Sequence, residues 1–533
     1  MRFNTRMVSA VALLGLAACG DGLDVRNQDV PDVARVLFDA ASVEQAVAGL
    51  GPQLNNIQRQ STSVNTQAKI LSEETFATVA NFGMAARVAN RSLISNELGN
   101  DNASGNAAEF NQFHRVQRLA FNSITAYKNL RAGGKAGLVA ADENRMRAFA
   151  YLIAGQAVGN LSIAFDSVAV GYEGMSTTEI PGFIGASAAN AKAMEFLDSA
   201  ATIAGRTMST LPNTWISGLT LTQAQFIQLA RSYRARIRAA AARTPQERAA
   251  LPWATIIADA TNGITADHLI SINGTTGWSA GFDASQIYIP GGWHSVPMSY
   301  AGMADTSGAY QAWIATSAGS RRAFLVTTPD KRWPQGSTRG AACTVAASCT
   351  GQQTVNNILP AGQYIRNRPP GDDVVAAGSG ESFYDHRRYG LGQFNTSVPS
   401  NYVDMSKVEI DLLAAEGYIR TGNTAAAVAL INVSRLRNGL PAVTSTGVPV
   451  GNACVPKLPN GTCGSLLEAM KYEKRMETAF TGYMIWFTDS RGWGDLPRGT
   501  AIEWPVPYQE MQARLQPYYN GSKATTAAST YGF

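Results

Sequence analysis

Histidine is scarce in this 533-residue chain. The four present, His114, His268, His294 and His386, include no two at metal-ligand spacing, so the sequence offers no metal site and calls for no cofactor. Charge is scarce as well. Only 16% of residues are Asp, Glu, Lys or Arg, and the formal net charge is +5, which predicts neither a nucleic-acid partner nor a polybasic membrane patch. After the first twenty residues no run approaches the roughly 18 consecutive apolar residues of a membrane-spanning helix. Hydrophobic residues nevertheless make up 45% of the chain, too many for a disordered one and enough for a large core.

What is present begins at the N-terminus. Arg2 and Arg6 precede an uncharged stretch from Met7 to Ala18, a basic n-region and an h-region too short to cross a bilayer. The run stops at Leu16-Ala17-Ala18-Cys19 and is followed at once by Gly20-Asp21-Gly22. This resembles the bacterial lipobox, in which small residues admit the peptidase and the cysteine thiol receives the lipid. The expectation is a signal peptide over residues 1–18 and a chain acylated at Cys19, attached to the membrane by lipid alone. An ordinary signal peptide that happens to contain a cysteine is the alternative. The other cysteines form two local couples in polar, loop-like sequence, Cys343 with Cys349 and Cys454 with Cys463. In an oxidising compartment they read as two short disulfides; four free thiols is the other possibility.

Residues 19–32 read as a tether. From Val33 the spacing of Val36, Leu37, Ala40, Val43 and Val47 turns helical. Asn111 to Leu130 and Asp142 to Phe165 read as long helices, and in the second Ala154, Gly155 and Gly159 leave room for a close neighbour. Ala188 to Ile203 and Thr222 to Ala242 read as a further pair. Ser406 and Glu409 fit a capping box, opening a helix to Arg420; a Thr421-Gly422-Asn423 turn leads into a second helix over Thr424 to Asn438. Such pairs predict a mainly α fold of tetratricopeptide-like stacked hairpins, without a strict 34-residue period. The helical scaffold is expected over about 33–263 and 401–485, within one domain. Between about 264 and 400 the periodicity dissolves into Gly, Pro, Ser and aromatic residues, the expected ligand lobe.

That lobe holds the candidate functional side chains. Trp278, Tyr288, Trp293, Tyr300, Trp313 and Trp333 cluster there, and aromatic rings with a few polar groups are what sugar capture needs. They serve equally to plug the seams of a loop-rich lobe or to contact a partner. Gly277-Trp278-Ser279-Ala280-Gly281 matches the G-x-S-x-G nucleophile elbow, with His294 and His386 as possible bases, but Asn273 to Thr276 separates it from any strand. Glu473 and Glu477 share a helical face, crowded by Lys474 and Arg475, which reads as exposed helix pairing rather than a glycosidase acid–base pair.

Three stretches carry a resemblance. They are "LDVRNQDVPD" followed by "SVEQAVAGL", the hairpin "LLAAEGYIRTGNTAAAVALINVSRLRNGL" (Leu412 to Leu440), and "YEKRMETAFTGYMIWFTDSRGWGDLP" (Tyr472 to Pro497) with "WPVPYQEM". With the lipobox, they resemble the SusD/RagB-like family of outer-membrane nutrient-binding lipoproteins. Thr481, Tyr483 and Ser490 depart from the family pattern, so the chain looks like a distant member. The resemblance implies a non-catalytic, cell-surface binder of oligosaccharide or peptide, partnered with a SusC-like TonB-dependent transporter. It also points to "EETFATVANFGM", with Asn81 and Phe82, as a second ligand loop. The rival readings are a secreted esterase using Ser279 and a tetratricopeptide scaffold that binds only protein.

Overall fold

A computed structural model describes residues 37–60, 64–77, 91, 94–99, 103–176, 178–272, 277–278, 294–334, 362–368, 380–386, 388, 400–521 and 523–531. Cys19, Asn81, Phe82, Ser279, Tyr288, Trp293, Cys343 and Cys349 lie outside them. Among the described residues, no helix is long and apolar enough to cross a membrane.

The first helix, α1 (Ala40–Ala48), starts behind Asp39, whose carboxylate accepts the Ser42 amide at 2.7 Å, and it buries Ala40, Val43 and Val47. Gly49 ends it, and α2 (Leu50–Ile57), α3 (Val64–Leu71) and the two-residue strand β1 (Phe76–Ala77) follow. Next come the long helices α4 (Ala103–Ala132) and α5 (Ala140–Ala164), the hairpin of β2 (Ser167–Ala169) with β3 (Phe183–Gly185), then α6 (Ala186–Ala204) and α7 (Gln223–Ala240). The sequence carries no charge between Arg147 and Asp166, so α5 is buried all round from Leu152 to Ala164. Its glycines do what their size allows. A Cβ on Gly155 would stand 2.7 Å from Leu197 of α6, and one on Gly159 2.7 Å from Ile237 of α7. Two short helices, α8 (Pro245–Ala249) and α9 (Trp253–Thr261), complete the first part.

The loop-rich stretch leaves the scaffold through β4 (His268–Ile272). It holds β5 (His294–Ser295), α10 (Met298–Ala304), α11 (Ala309–Ala315), β6 (Ile365–Asn367) and β7 (Tyr384–His386), and returns through β8 (Ser400–Met405). β4 and β8 pair antiparallel, Ile270 opposite Tyr402, so exit and re-entry are neighbours.

The C-terminal hairpin is α12 (Lys407–Arg420) and α13 (Thr424–Arg437), with Gly422 at φ 84° in the turn. Ser406 caps the Glu409 amide at 3.1 Å, but the reciprocal half of the box is not made. The Glu409 carboxylate goes to Arg236 of α7 through two bonds of 2.7 Å, because a guanidinium offers two charge-assisted bonds where a backbone amide offers one. The chain ends with α14 (Leu466–Thr478), α15 (Ile485–Trp493) and α16 (Tyr508–Ala513). Neighbouring helices pack in series, α4 on α5, α5 on α6, α6 on α7, α7 on α9, α9 on α12 and α12 on α13. The fold is mainly α, a tetratricopeptide-like array of stacked helices. Cys454 and Cys463 form a disulfide, their Cα atoms 5.1 Å apart.

Candidate functional site

Four short segments meet on one side of the loop-rich part. β1 pairs antiparallel with β5, Phe76 opposite Ser295 and Ala77 opposite His294. β6 pairs with β7 in the same sense. The two ribbons are joined where the Val296 amide donates to Tyr384 O at 3.0 Å and Pro297 bridges Glu381. The order across the frame is therefore β1, β5, β7, β6. These are stems. The sequence after Ala77 contains Asn81 and Phe82, the sequence before His294 contains Tyr288 and Trp293, and residues 369–379 and 389–399 come after β6 and β7 in the sequence.

The first stem is clamped from below. Glu74 is buried, pairs with Lys69 at 3.5 Å and accepts the Phe480 amide at 2.6 Å; Trp486 donates its indole N–H to Ser72 O at 3.0 Å. Glu73, at φ 61°, pairs with Arg91 and accepts the Ser299 hydroxyl at 2.9 Å. A Cβ on Gly380 would collide with the Phe76 ring, so only glycine lets the segment before β7 approach this stem.

The described aromatic candidates are not an open platform, which corrects that part of the sequence reading. Trp278, Tyr300, Trp313 and Trp333 are 4%, 1%, 8% and 0% exposed. Trp278 lies in the scaffold core, where a Cβ on Gly51 would come within 3.2 Å of its ring. The other three fill the core beneath the stems. Tyr300 meets Trp333 edge-on at 5.7 Å and Trp486 at 4.6 Å, Trp333 meets Tyr384 at 5.2 Å, and Trp313 stacks on Tyr310 with Arg321 4.4 Å above its ring. The physical reason is supply. Short strands and glycine-rich turns bring few aliphatic residues, so rings provide the buried area.

Glu473 and Glu477 also differ from expectation, since both are wholly buried on α14 rather than exposed. Glu473 meets Arg332 at 3.0 Å and Arg435 at 3.3 Å. Glu477 meets Arg332 at 3.2 Å, Arg388 at 3.1 Å and Arg437 at 2.8 Å, and accepts the Tyr364 hydroxyl at 3.0 Å. Asp330 holds Arg332 at 2.8 Å and accepts the Tyr472 hydroxyl at 2.6 Å. Burial works to raise the pKa of Glu477, but Arg388, Arg332 and Arg437 outweigh it and hold it at about 2. For Glu473 burial prevails and the shift is upward. Both carboxylates are committed to guanidinium groups, which leaves neither for acid–base work on a sugar. The remaining charges of this motif are buried too. Lys474 meets Asp489 at 2.8 Å, Arg475 meets Asp495 at 2.7 Å, and Arg248 bridges Glu416 and Asp489. Two of the departing residues lie here: Tyr483 reaches Glu109 of α4, and Ser490 accepts from Arg475 at 3.4 Å.

His386 lies against Phe480, ring centroids 4.8 Å apart, and burial drives its pKa well below the usual value. An interior imidazole of that kind is poorly suited to accept a proton as a general base. Among the described residues no group of three His, Cys, Asp or Glu side chains is placed to hold a metal ion. Sequence reading missed the arginines of the lobe. Arg366 pairs with Asp385 at 2.8 Å, and Arg368 with Glu381 and Asp385. The available signal was the clustering of charge in "RNR" and "DHRR" within a stretch that otherwise has little.

Solved structures with the same architecture are SusD superfamily proteins. One from Bacteroides vulgatus superposes with a TM-score of 0.52 at 15% identity, covering 90% of this chain and 90% of that one. A SusD homolog from Parabacteroides distasonis gives 0.54 at 11% identity, over 89% of this chain and 93% of that one. A Bacteroides vulgatus protein named for sugar binding gives 0.50 at 12% identity, over 91% and 99%. No family model matches the sequence, and no curated protein matches it. The chain has the SusD fold.

Proposed function

We propose that this protein is a non-catalytic, cell-surface lipoprotein that binds an extracellular nutrient, an oligosaccharide, and delivers it to a SusC-like TonB-dependent transporter in the outer membrane. In this reading residues 1–18 are the signal peptide, Cys19 carries the lipid, 19–32 are the tether, and the rest is one domain. The observation that carries the proposal is the pairing of β1 with β5, since it joins the stem leading to Asn81 and Phe82 to the stem leading from Tyr288 and Trp293. Two segments nominated separately in the sequence thus start from adjacent backbone, which favours their sharing one ligand. The SusD fold, with a solved example named for sugar binding, supports the same reading.

The test is a glycan and peptide array on the soluble chain from Gly20, followed by calorimetry with the best ligand. Phe82→Ala or Trp293→Ala should weaken binding by about 1 kcal/mol or more if the rings stack on sugar, with the melting curve unchanged. Parent-like binding in both variants would remove these loops from the site, and peptide binding without sugar binding would overturn the choice of ligand.

A further inference from the structure

On the scaffold, α4, the segment from Ala169 to Pro181 and α16 enclose a groove of about 330 Å³. That is the lower end of the range of about 300–1,000 Å³ for small-molecule sites. None of the ligand-lobe residues line it. We propose that this groove binds an acidic sugar, its carboxylate held by Arg115 and Arg118 and its ring resting on Met175, Ile180 and Pro181.

The first support is charge without a partner. Arg115 and Arg118 stand three apart on α4 and so on one face. Arg118 donates to the Ser176 carbonyl, and among the described residues neither guanidinium has a carboxylate. Arg234 and Arg238 on the scaffold are neutralised by Asp259, Arg236 by Glu409 and Arg243 by Glu503. The acids at the groove are engaged as well. Glu510 takes Arg514 at 2.7 Å, and Glu179 accepts the Tyr172 hydroxyl at 2.8 and 3.0 Å. Three guanidinium groups, Arg115, Arg118 and Arg514, stand against two carboxylates, so the groove is net positive, and neighbouring guanidinium groups suit a carboxylate.

The second support concerns shape. Ile180 is 72% exposed beside buried Met175, an apolar ledge next to the cations. A pyranose carrying a carboxylate presents that combination, an apolar C–H face with a charged edge. A peptide fits less well, because the backbone of the wall is already occupied from within. The Ala169 amide donates to His114 at 3.3 Å, and Gln117 takes Ala169 O and the Gly171 amide at 3.0 Å each, which leaves no strand edge to extend. Taking a sugar as the carrier of the carboxylate rests on the nutrient-binding reading; the unpaired arginines do not.

The experiment is calorimetric titration of the soluble chain from Gly20 with glucuronate and galacturonate, and with glucose as the neutral control. Hexuronate binding should exceed glucose binding, weaken with salt, and fall about tenfold or more in the double variant Arg115→Gln/Arg118→Gln, whose surface positions leave the circular dichroism unchanged. Phe82→Ala and Trp293→Ala should leave it intact, which separates this groove from the lobe loops. The proposal is overturned by equal binding of glucose and hexuronate or by an unaffected double variant. It is overturned equally if inorganic sulfate displaces hexuronate at equal concentration, if triglutamate binds more tightly, or if the loop variants abolish hexuronate binding.

Discussion

Around α5 the interior is mostly alanine, glycine and aliphatic side chains, with rings such as Phe149 and Trp215 set among them, whereas beneath the β1–β5–β7–β6 frame aromatic rings and paired charges predominate. The scaffold gains its stability from apolar area and close approach, as at Gly155 and Gly159. The lobe has short strands with little aliphatic surface to offer. Its segments are tied to α14 through Arg332 and Arg388, both of which reach Glu477. One interior tolerates small changes of shape poorly, and the other tolerates loss of a charge poorly.

The sharpest way to break that contrast is Glu477→Gln. Three guanidinium groups, the half-exposed Arg437 among them, lose the shared counter-charge of a fully buried carboxylate, so the cost should be about 3–5 kcal/mol in urea unfolding. Glu195→Gln on α6, which breaks a pair exposed by 59% on the Glu195 side, should shift stability by less than about 1 kcal/mol. Equal effects would deny the lobe its dependence on charge.

Acid should act through histidine next. Burial lowers His268 from 6.5 to about 4, and holds His386 well below its usual value. With the folded-state pKa depressed, the unfolded chain takes up a proton that the folded one refuses. The stability is complete above pH 6.5 and lost as pH falls toward 4, by up to about 1.4 kcal/mol per pH unit for each group. Glu477 and Glu416, both held near 2 in the folded chain, stay ionised there through that window, and their own contribution begins to be lost only near the unfolded carboxylate value of 4.5, at its acid end. Melting temperature measured between pH 7.5 and 4.5 should fall, and His268→Gln should flatten the slope. A slope unchanged in that variant would move the acid sensitivity elsewhere.

A smaller effect is expected on the scaffold side. Gly155→Leu forces a side chain against Leu197 and should cost about 1–3 kcal/mol by overpacking, with ligand binding retained. A neutral result would mean that α6 moves away at no cost.

Legibility in the sequence followed the same division. α5 was readable because it lacks charge over so long a run, and α12 and α13 because Ser406, Gly422 and Asn423 mark their ends locally. The Glu409 half of the capping box failed because its competitor, Arg236, is 173 residues away. The burial of Glu477 was hidden for the same reason, with Arg332 145 residues distant. Composition showed that the lobe is aromatic but not which way each ring faces; Trp278 and Trp333 became core, while Tyr288 and Trp293 lie outside the described residues. The stems were not legible at all, because two-residue strands such as β1 and β5 carry no periodicity.

Those stems have a consequence for how such a protein diversifies. Lengthening a connection between fixed ends raises its closure cost only logarithmically, about 0.6 kcal/mol per doubling. The pairings that hold β1, β5, β7 and β6 involve backbone atoms and are indifferent to what the intervening residues are. A lineage can therefore rewrite or extend the sequence after Ala77, before His294 and after β6 and β7 while the chassis beneath keeps its stability. An engineer seeking a new cargo could graft replacement segments at those same boundaries.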